Sequence, residues 1–244
     1  MKRNFLLLAS CLLAIFATTF VTSCDEINST TKGYTQEIYT VDRNFLRPEN
    51  LDTFYTIKKD EIASFGLNDG DRAIISLGYN YDNTVGATSA QWFIKSVDEK
   101  IPVYTLTSGA DVDKQVFSSA IAGVGPFSMY GSHWMWKGYQ NIYVGYYSDG
   151  SFGNFKLAPA GMSGDTICFD LYSQIPTGDK PIKHLLSFDI KSVASMLSKE
   201  EATQLNELDS VYTKITTKVE FFNNDGSTTI RPARIIGGKY KRTF

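Results

Sequence analysis

From Tyr34 onward the pattern of hydrophobic and polar positions is that of β-strands almost throughout, short apolar-rich runs broken by turn signals. Segments 34–41, 54–58, 71–81, 91–97 and 102–106 are rich in aromatic and β-branched residues. Turn chemistry separates them, as in Arg47-Pro48-Glu49-Asn50 and Asn68-Asp69-Gly70, where Pro pre-sets φ and Gly, Asn and Asp tolerate tight bends. Five short strands in succession fit a small antiparallel barrel, for which the OB-like barrel is the common five-stranded form. That module is expected over residues 34–107, and a polar, weakly patterned stretch over 107–114 closes it. A second module is expected over 115–244, with strands at 165–172, 184–190, 211–222 and 227–236. The last two flank Asn223-Asn224-Asp225-Gly226, a hairpin signal because Asn and Gly accept positive φ. Trp134 and Trp136 alternate, as do Tyr139, Asn141 and Tyr143, so each set points to one face of a strand. Residues 192–208 alone read as helix, where Ser198 and Glu201 form a capping box. The expected fold is all-β: a small OB-like antiparallel barrel followed by an antiparallel β-sandwich with one short helix.

The first 33 residues follow a different pattern. Lys2 and Arg3 precede an apolar run from Phe5 to Phe20, the layout of a secretory signal peptide. The run falls short of the roughly 20 residues a bilayer core needs, and no basic flank stops it. Val21-Thr22-Ser23-Cys24 resembles the bacterial lipobox. The resemblance implies a lipoprotein signal peptide over 1–23, cleavage after Ser23, a diacylglyceryl thioether on the Cys24 sulfur and an acyl chain (palmitate) on its new amino terminus. A thiol suits this chemistry because its thiolate is the stronger nucleophile. Several acyl chains, at about 0.8 kcal/mol per buried CH₂, hold a chain on a membrane essentially permanently. Residues 24–33 are then a polar tether. Asp25 and Glu26 look like the surface-export signal of Bacteroidota-type lipoproteins, which implies the outer membrane and an outward-facing chain. A solvated linker with no sorting role is the plainer reading of the same two residues.

Charge and cysteine usage narrow the chemistry. The chain has 24 basic and 26 acidic residues, and removing the signal with its two basic residues leaves 22 minus 26, or −4. A chain with this balance is not expected to bind nucleic acid. Cys11 leaves with the signal and Cys24 is lipidated, so Cys168 remains and no intramolecular disulfide is possible. Within Thr166-Ile167-Cys168-Phe169 it is expected to be a buried, inert thiol. His133 and His184 stand far apart with no CxxC or HExxH, so neither a zinc site nor any other metal site is expected. Both histidines are read as packing residues. Gly161-Met162-Ser163-Gly164 ends on Asp165 and fails the nucleophile elbow. Gly123-Val124-Gly125-Pro126 lacks a third glycine and leads into no helix, so no cofactor is expected. The pairs Asp69/Asp71 and Asp111/Asp113 fall short of a calcium loop. Catalysis is therefore not expected, and a hydrolase would need convergent carboxylates that spacing in sequence does not reveal.

Ten aromatic residues crowd the segment from Phe127 to Phe155. Trp134, Trp136, Tyr139 and Tyr143 are the candidate ligand-binding rings, since Trp and Tyr bury much area at low entropic cost. The alternative is that a disulfide-free β protein uses them as core. Trp136-Lys137-Gly138-Tyr139-Gln140-Asn141-Ile142-Tyr143-Val144 is similar to the GGYLNI strand of NigD-like lipoproteins, as is Ser187-Phe188-Asp189-Ile190 with the later Asp209-Ser210-Val211. The resemblance spans most of the mature chain. It implies an N-terminal OB-like domain before a C-terminal β-sandwich, and a bacteriocin-associated or immunity-like role without defined catalytic residues. The expectation is a membrane-anchored, non-enzymatic lipoprotein that binds a protein. A surface glycan-binding accessory lipoprotein is the alternative, and a hydrolase is a third class.

Overall fold

A computed structural model describes residues 32–49, 53–81, 90–125, 133–223, 225 and 227–241. The lipobox, Cys24 and the export signal lie outside the described residues. The protein is all-β, with strands grouped in three sheets.

The first sheet holds β1 (Lys32–Asp42), β2 (Phe45–Pro48), β3 (Tyr55–Thr56), β4 (Arg72–Tyr81) and β5 (Ala90–Ile101), in the order β3-β2-β1-β4-β5. All its pairings are antiparallel. Helix α1 (Lys59–Ser64) connects β3 to β4. A three-stranded meander, a helix and a returning hairpin on the far side of β1 make an open, OB-like barrel. Its core is Tyr39, Val41, Leu46, Ile57, Ile62, Leu67, Ala73, Ile75, Leu77 and Ile94. The Glu61 carboxylate fastens α1 to the sheet by accepting from the Ile94 amide at 2.6 Å. Gly78 lets the Phe93 ring lie on the bare backbone of β4, since a Cβ there would be 2.3 Å from that ring and displace it.

Three differences from the sequence expectation are local. Arg47-Pro48 is the end of strand β2, not a turn; β3 pairs only with Phe45 and Leu46, so Pro48, opposite Tyr39 on β1, lies past that pairing, where no β3 partner needs its missing N–H. Helix α1 adds a second α-helix to the one expected, and it is short enough to bury a single side chain, Ile62. The strand read at 102–106 belongs to the other module: β6 (Val103–Thr105) pairs parallel with β12 (Lys180–Asp189). The change of sheet therefore falls at Pro102, ahead of the expected boundary at 107.

The second module is a sandwich. One sheet runs β6-β12-β9-β7, with β9 (Tyr139–Ser148), β7 (Gly123–Val124) and β8 (His133–Trp136) paired onto β9. The other runs β10-β11-β13-β14, built from Asn154–Ser163, Thr166–Gln174, Ser210–Phe222 and Thr228–Lys241. It is not purely antiparallel, because β11–β13 and β6–β12 are parallel pairs. Between the sheets lie Ile142, Val144, Tyr146, Phe155, Leu157, Phe169, Phe188 and Ile215, all buried. The expected helix at 192–208 resolves into a 3-10 turn (Val193–Met196) and α2 (Lys199–Glu207). The capping box forms as expected, and Glu201 also accepts from the Met162 amide at 2.7 Å, tying α2 to the bulge in β10.

Candidate functional site

The β8–β9 hairpin builds the junction between the modules. Its two-residue turn has Lys137 at φ 44° and Gly138 at φ 81°, positive at both central positions as a type I′ turn demands. This geometry fixes the register Trp134↔Asn141 and Trp136↔Tyr139. Cross-strand partners share a face, so Trp134, Trp136, Tyr139 and Asn141 all point away from the sandwich core. The barrel covers that face. Trp134 packs with Ile38, Ile101 and Leu185 in a small core between the modules, against which Ile74, Trp136, Tyr143 and Tyr240 pack.

A buried ion pair lies beside this apolar patch. Arg72 at the start of β4 and Glu49 just after β2 are 1% exposed each. Arg72 Nη2 donates to Glu49 Oε2 at 2.5 Å. Arg72 Nη1 donates to Asn141 Oδ1 at 2.7 Å and to the Ser187 hydroxyl. Glu49 Oε1 accepts from Asn141 Nδ2 at 2.7 Å and from the Trp134 indole at 3.1 Å. The Tyr139 ring lies 4.4 Å from the guanidinium carbon, with the Lys191 ammonium 4.5 Å from the same ring. Charges removed from water are costly unless fully paired and hydrogen-bonded. Here both members belong to the barrel and three of the groups that satisfy them belong to the sandwich.

The aromatic residues singled out in the sequence are thus placed as follows. Trp134 and Tyr139 are buried in the junction, and Trp136 and Tyr143 are half-buried at its rim. Tyr139, Asn141 and Tyr143 do share a face, as their spacing implies. Their rings are used in holding the barrel to the sandwich. The motifs that carry the family resemblance contribute Tyr139, Asn141 and Ser187 to this junction, and no sequence feature marked Arg72 or Glu49 as their partners. Cys168 is half-buried on the outer side of β11, because alternation sends Ile167 and Phe169 into the core instead. His133 and His184 are buried, as expected of packing residues. Burial lowers the pKa of His133 to about 4, and it lowers that of His184 as well.

A groove of about 980 Å³ opens beside the junction where the barrel meets the β6–β12 edge. Asp71, Asp98, Glu99 and Lys100 come from the barrel, and Tyr104, Phe152, Lys183 and His184 from the sandwich. Phe152 is 63% exposed, and its ring stacks 4.5 Å from His184. Asp98 accepts from Gln36 at 2.7 Å, Ser96 at 2.8 Å and Ser76 at 3.0 Å, and these hydrogen bonds hold its carboxyl below the usual range. Burial pushes Glu99 up. An Asp98 kept ionised by three donors is suited to accepting hydrogen bonds rather than giving up a proton at neutral pH. The groove offers exposed aromatic surface with both signs of charge, which is recognition chemistry.

No protein-family model matches this chain, and no curated protein matches it. Solved structures do. A protein named as toxin-related from Parabacteroides distasonis is 12% identical, with 83% of this chain and 93% of that one covered and a TM-score of 0.51. One named as a lipoprotein from Bacteroides fragilis is 12% identical, covering 84% of this chain and 98% of that one, also at 0.51. A NigD-like immunity protein from Bacteroides caccae matches at 15% identity over 89% of this chain and 99% of that one, with a TM-score of 0.48. What the chain shares with the Parabacteroides distasonis and Bacteroides fragilis proteins is the fold. No helix among the described residues is long and apolar enough to cross a membrane.

Proposed function

We propose that the chain is an outer-membrane lipoprotein, anchored through Cys24, that acts by binding a protein partner and catalyses no reaction. The observation that carries the binding reading is the groove at the module junction. Both walls are held in place by the buried Arg72–Glu49 pair, so the cleft is pre-formed, and module interfaces are where binding clefts are commonly built. The lipobox at Val21–Cys24 supports the anchor. The NigD-like motifs support a bacteriocin-associated, immunity-like role. In that role, deletion of the chain sensitises cells to the bacteriocin of a competing strain. Wild-type protein restores resistance, while Phe152→Ala in the groove and Cys24→Ala at the anchor both fail to restore it. Cys24→Ala also leaves an unlipidated precursor, and release from the membrane fraction is the expected result. Unchanged membrane partitioning of that variant, or unchanged sensitivity of the deletion, overturns the corresponding half of the proposal.

One observation favours the alternative of a surface glycan-binding accessory lipoprotein. The exposed Phe152 ring sits beside the hydrogen-bonding groups of the groove, an arrangement that suits stacking on a sugar face. Binding to a glycan panel that disappears in Phe152→Ala would select it over the protein-binding reading.

A further inference from the structure

Charge is distributed unevenly along the mature chain. Residues 210–244 carry seven basic and two acidic side chains, a balance of +5, whereas residues 24–209 carry 15 basic and 24 acidic, a balance of −9. Residues 210–241 of this segment hold the β13–β14 hairpin, which forms one edge of the sandwich. Along β13, Val211, Thr213, Ile215, Thr217 and Val219 are buried, so Tyr212, Lys214, Thr216 and Lys218 face outward. The register sets Lys214 opposite Ile236, Thr216 opposite Arg234, Lys218 opposite Pro232 and Tyr212 opposite Lys239. The outer face is therefore a strip of four cations, Lys214, Lys218, Arg234 and Lys239, interleaved with apolar side chains. Ile230 is 58% and Ile236 72% exposed, which sets two apolar side chains among the cations of the same face. The nearby carboxylates are Glu220 toward the hairpin tip and Asp170 on β11, the latter accepting from the Tyr172 hydroxyl at 3.3 Å.

We propose that this outer face of the β13–β14 hairpin docks on an anionic membrane surface, its basic side chains on lipid phosphates and Ile230 and Ile236 at the headgroup boundary. Basic residues interspersed with exposed apolar ones are what an anionic bilayer surface attracts. The inference rests on the anchored reading. From Cys24 to the start of β1 at Lys32 the chain reaches at most about 29 Å even when fully extended. An anchored chain therefore meets headgroups at an effective concentration far above that of a second copy of itself, although the acidic remainder of such a copy has the complementary sign.

The test uses full-length protein purified from membranes and mixed with vesicles of phosphatidylcholine alone or of phosphatidylcholine with phosphatidylglycerol. Amide hydrogen exchange over β14 is the readout, and intact mass reports whether Cys24 carries lipid. The expected result is exchange at least tenfold slower in the anionic vesicles, lost in about 1 M salt where the screening length is about 3 Å. Each basic group near an anionic surface is worth roughly a factor of five. Lys214→Glu/Lys218→Glu/Arg234→Glu should then abolish the difference, while Ile236→Asp weakens it and shows that the apolar contact matters. Equal exchange in the two kinds of vesicle overturns the proposal. So does protection that appears without vesicles and grows with protein concentration, which identifies a second copy as the occupant. The anionic dependence is readable with or without a lipid on Cys24, so a missing lipid counts against the anchor alone.

Discussion

Burial without a compensating charge sets the acid behaviour of His133. Its pKa falls from 6.5 to about 4 in the folded protein, so between those values the unfolded chain binds a proton that the native state refuses. Stability is complete above pH 6.5 and declines as pH falls toward 4, with roughly 3 kcal/mol at stake at about 1.4 kcal/mol per pH unit. His184 is lowered in the same direction by its own burial and adds to the loss. Denaturation midpoints followed from neutral pH down to pH 4 should drop steeply in the wild type and less steeply in His133→Gln. A variant profile that parallels the wild type would remove His133 from the account. Gly178 makes a second prediction at this scale. A Cβ there would lie 2.3 Å from the backbone of Ser148, and backbone has no rotamer with which to yield. Gly178→Ala should cost several kcal/mol by the strain of an overpacked site, measured as a fall in the urea midpoint, whereas Gly70→Ala has open space around it and is penalised by its positive φ alone.

At the scale of the element, the type I′ turn of the β8–β9 hairpin carries a lysine where glycine or asparagine is favoured. Lys137 at φ 44° bears the left-handed penalty, offset in part by its ammonium 5.0 Å from the Trp136 ring. Lys137→Gly should therefore raise stability modestly, by about 0.5–1 kcal/mol, and thermal unfolding would detect it. A loss of stability instead would mean that the cation–ring contact outweighs the backbone strain. The strands were legible in the sequence wherever one face is buried, as in β11 and β13, because burial imposes the period of two. The pattern says nothing about which sheet a strand joins. That is why 102–106 looked like a fifth barrel strand, and why β2 was hidden behind a proline at its end. Helix α1 was illegible because six residues with one buried side chain leave no helical period to detect. Arg72 was the least legible of all. An arginine opening a strand looks like a solvated terminus, and its partners lie 23, 69 and 115 residues away.

At the scale of the molecule, the Arg72–Glu49 pair decides whether the two modules behave as one body. Removing one member of a buried, hydrogen-bonded pair leaves the other charge stranded in a dry site, at a cost of about 3–5 kcal/mol. The cost would not be shared evenly. Arg72 and Glu49 both sit in the barrel, whose own core has, among the described residues, ten buried side chains against nineteen in the sandwich. The sandwich loses hydrogen bonds to Asn141, Ser187 and Trp134, but it keeps its own two-sheet core. Wild-type protein is accordingly expected to melt in a single transition, because the barrel borrows stability from the junction. Arg72→Met should split that transition in two, the barrel unfolding first and the sandwich near its original midpoint. Calorimetry reads the two events, and the near-ultraviolet signal of buried Trp134 should change with the first. Replacing both charges, as in Arg72→Met/Glu49→Leu, should recover part of the loss, since an apolar pair leaves no stranded charge although Asn141 and Ser187 lose their partners. If Arg72→Met still unfolds in one step at the wild-type temperature, the apolar patch of Trp134, Ile38, Ile101 and Leu185 holds the modules together unaided. The polar motif residues of β9 and β12 would then need another explanation.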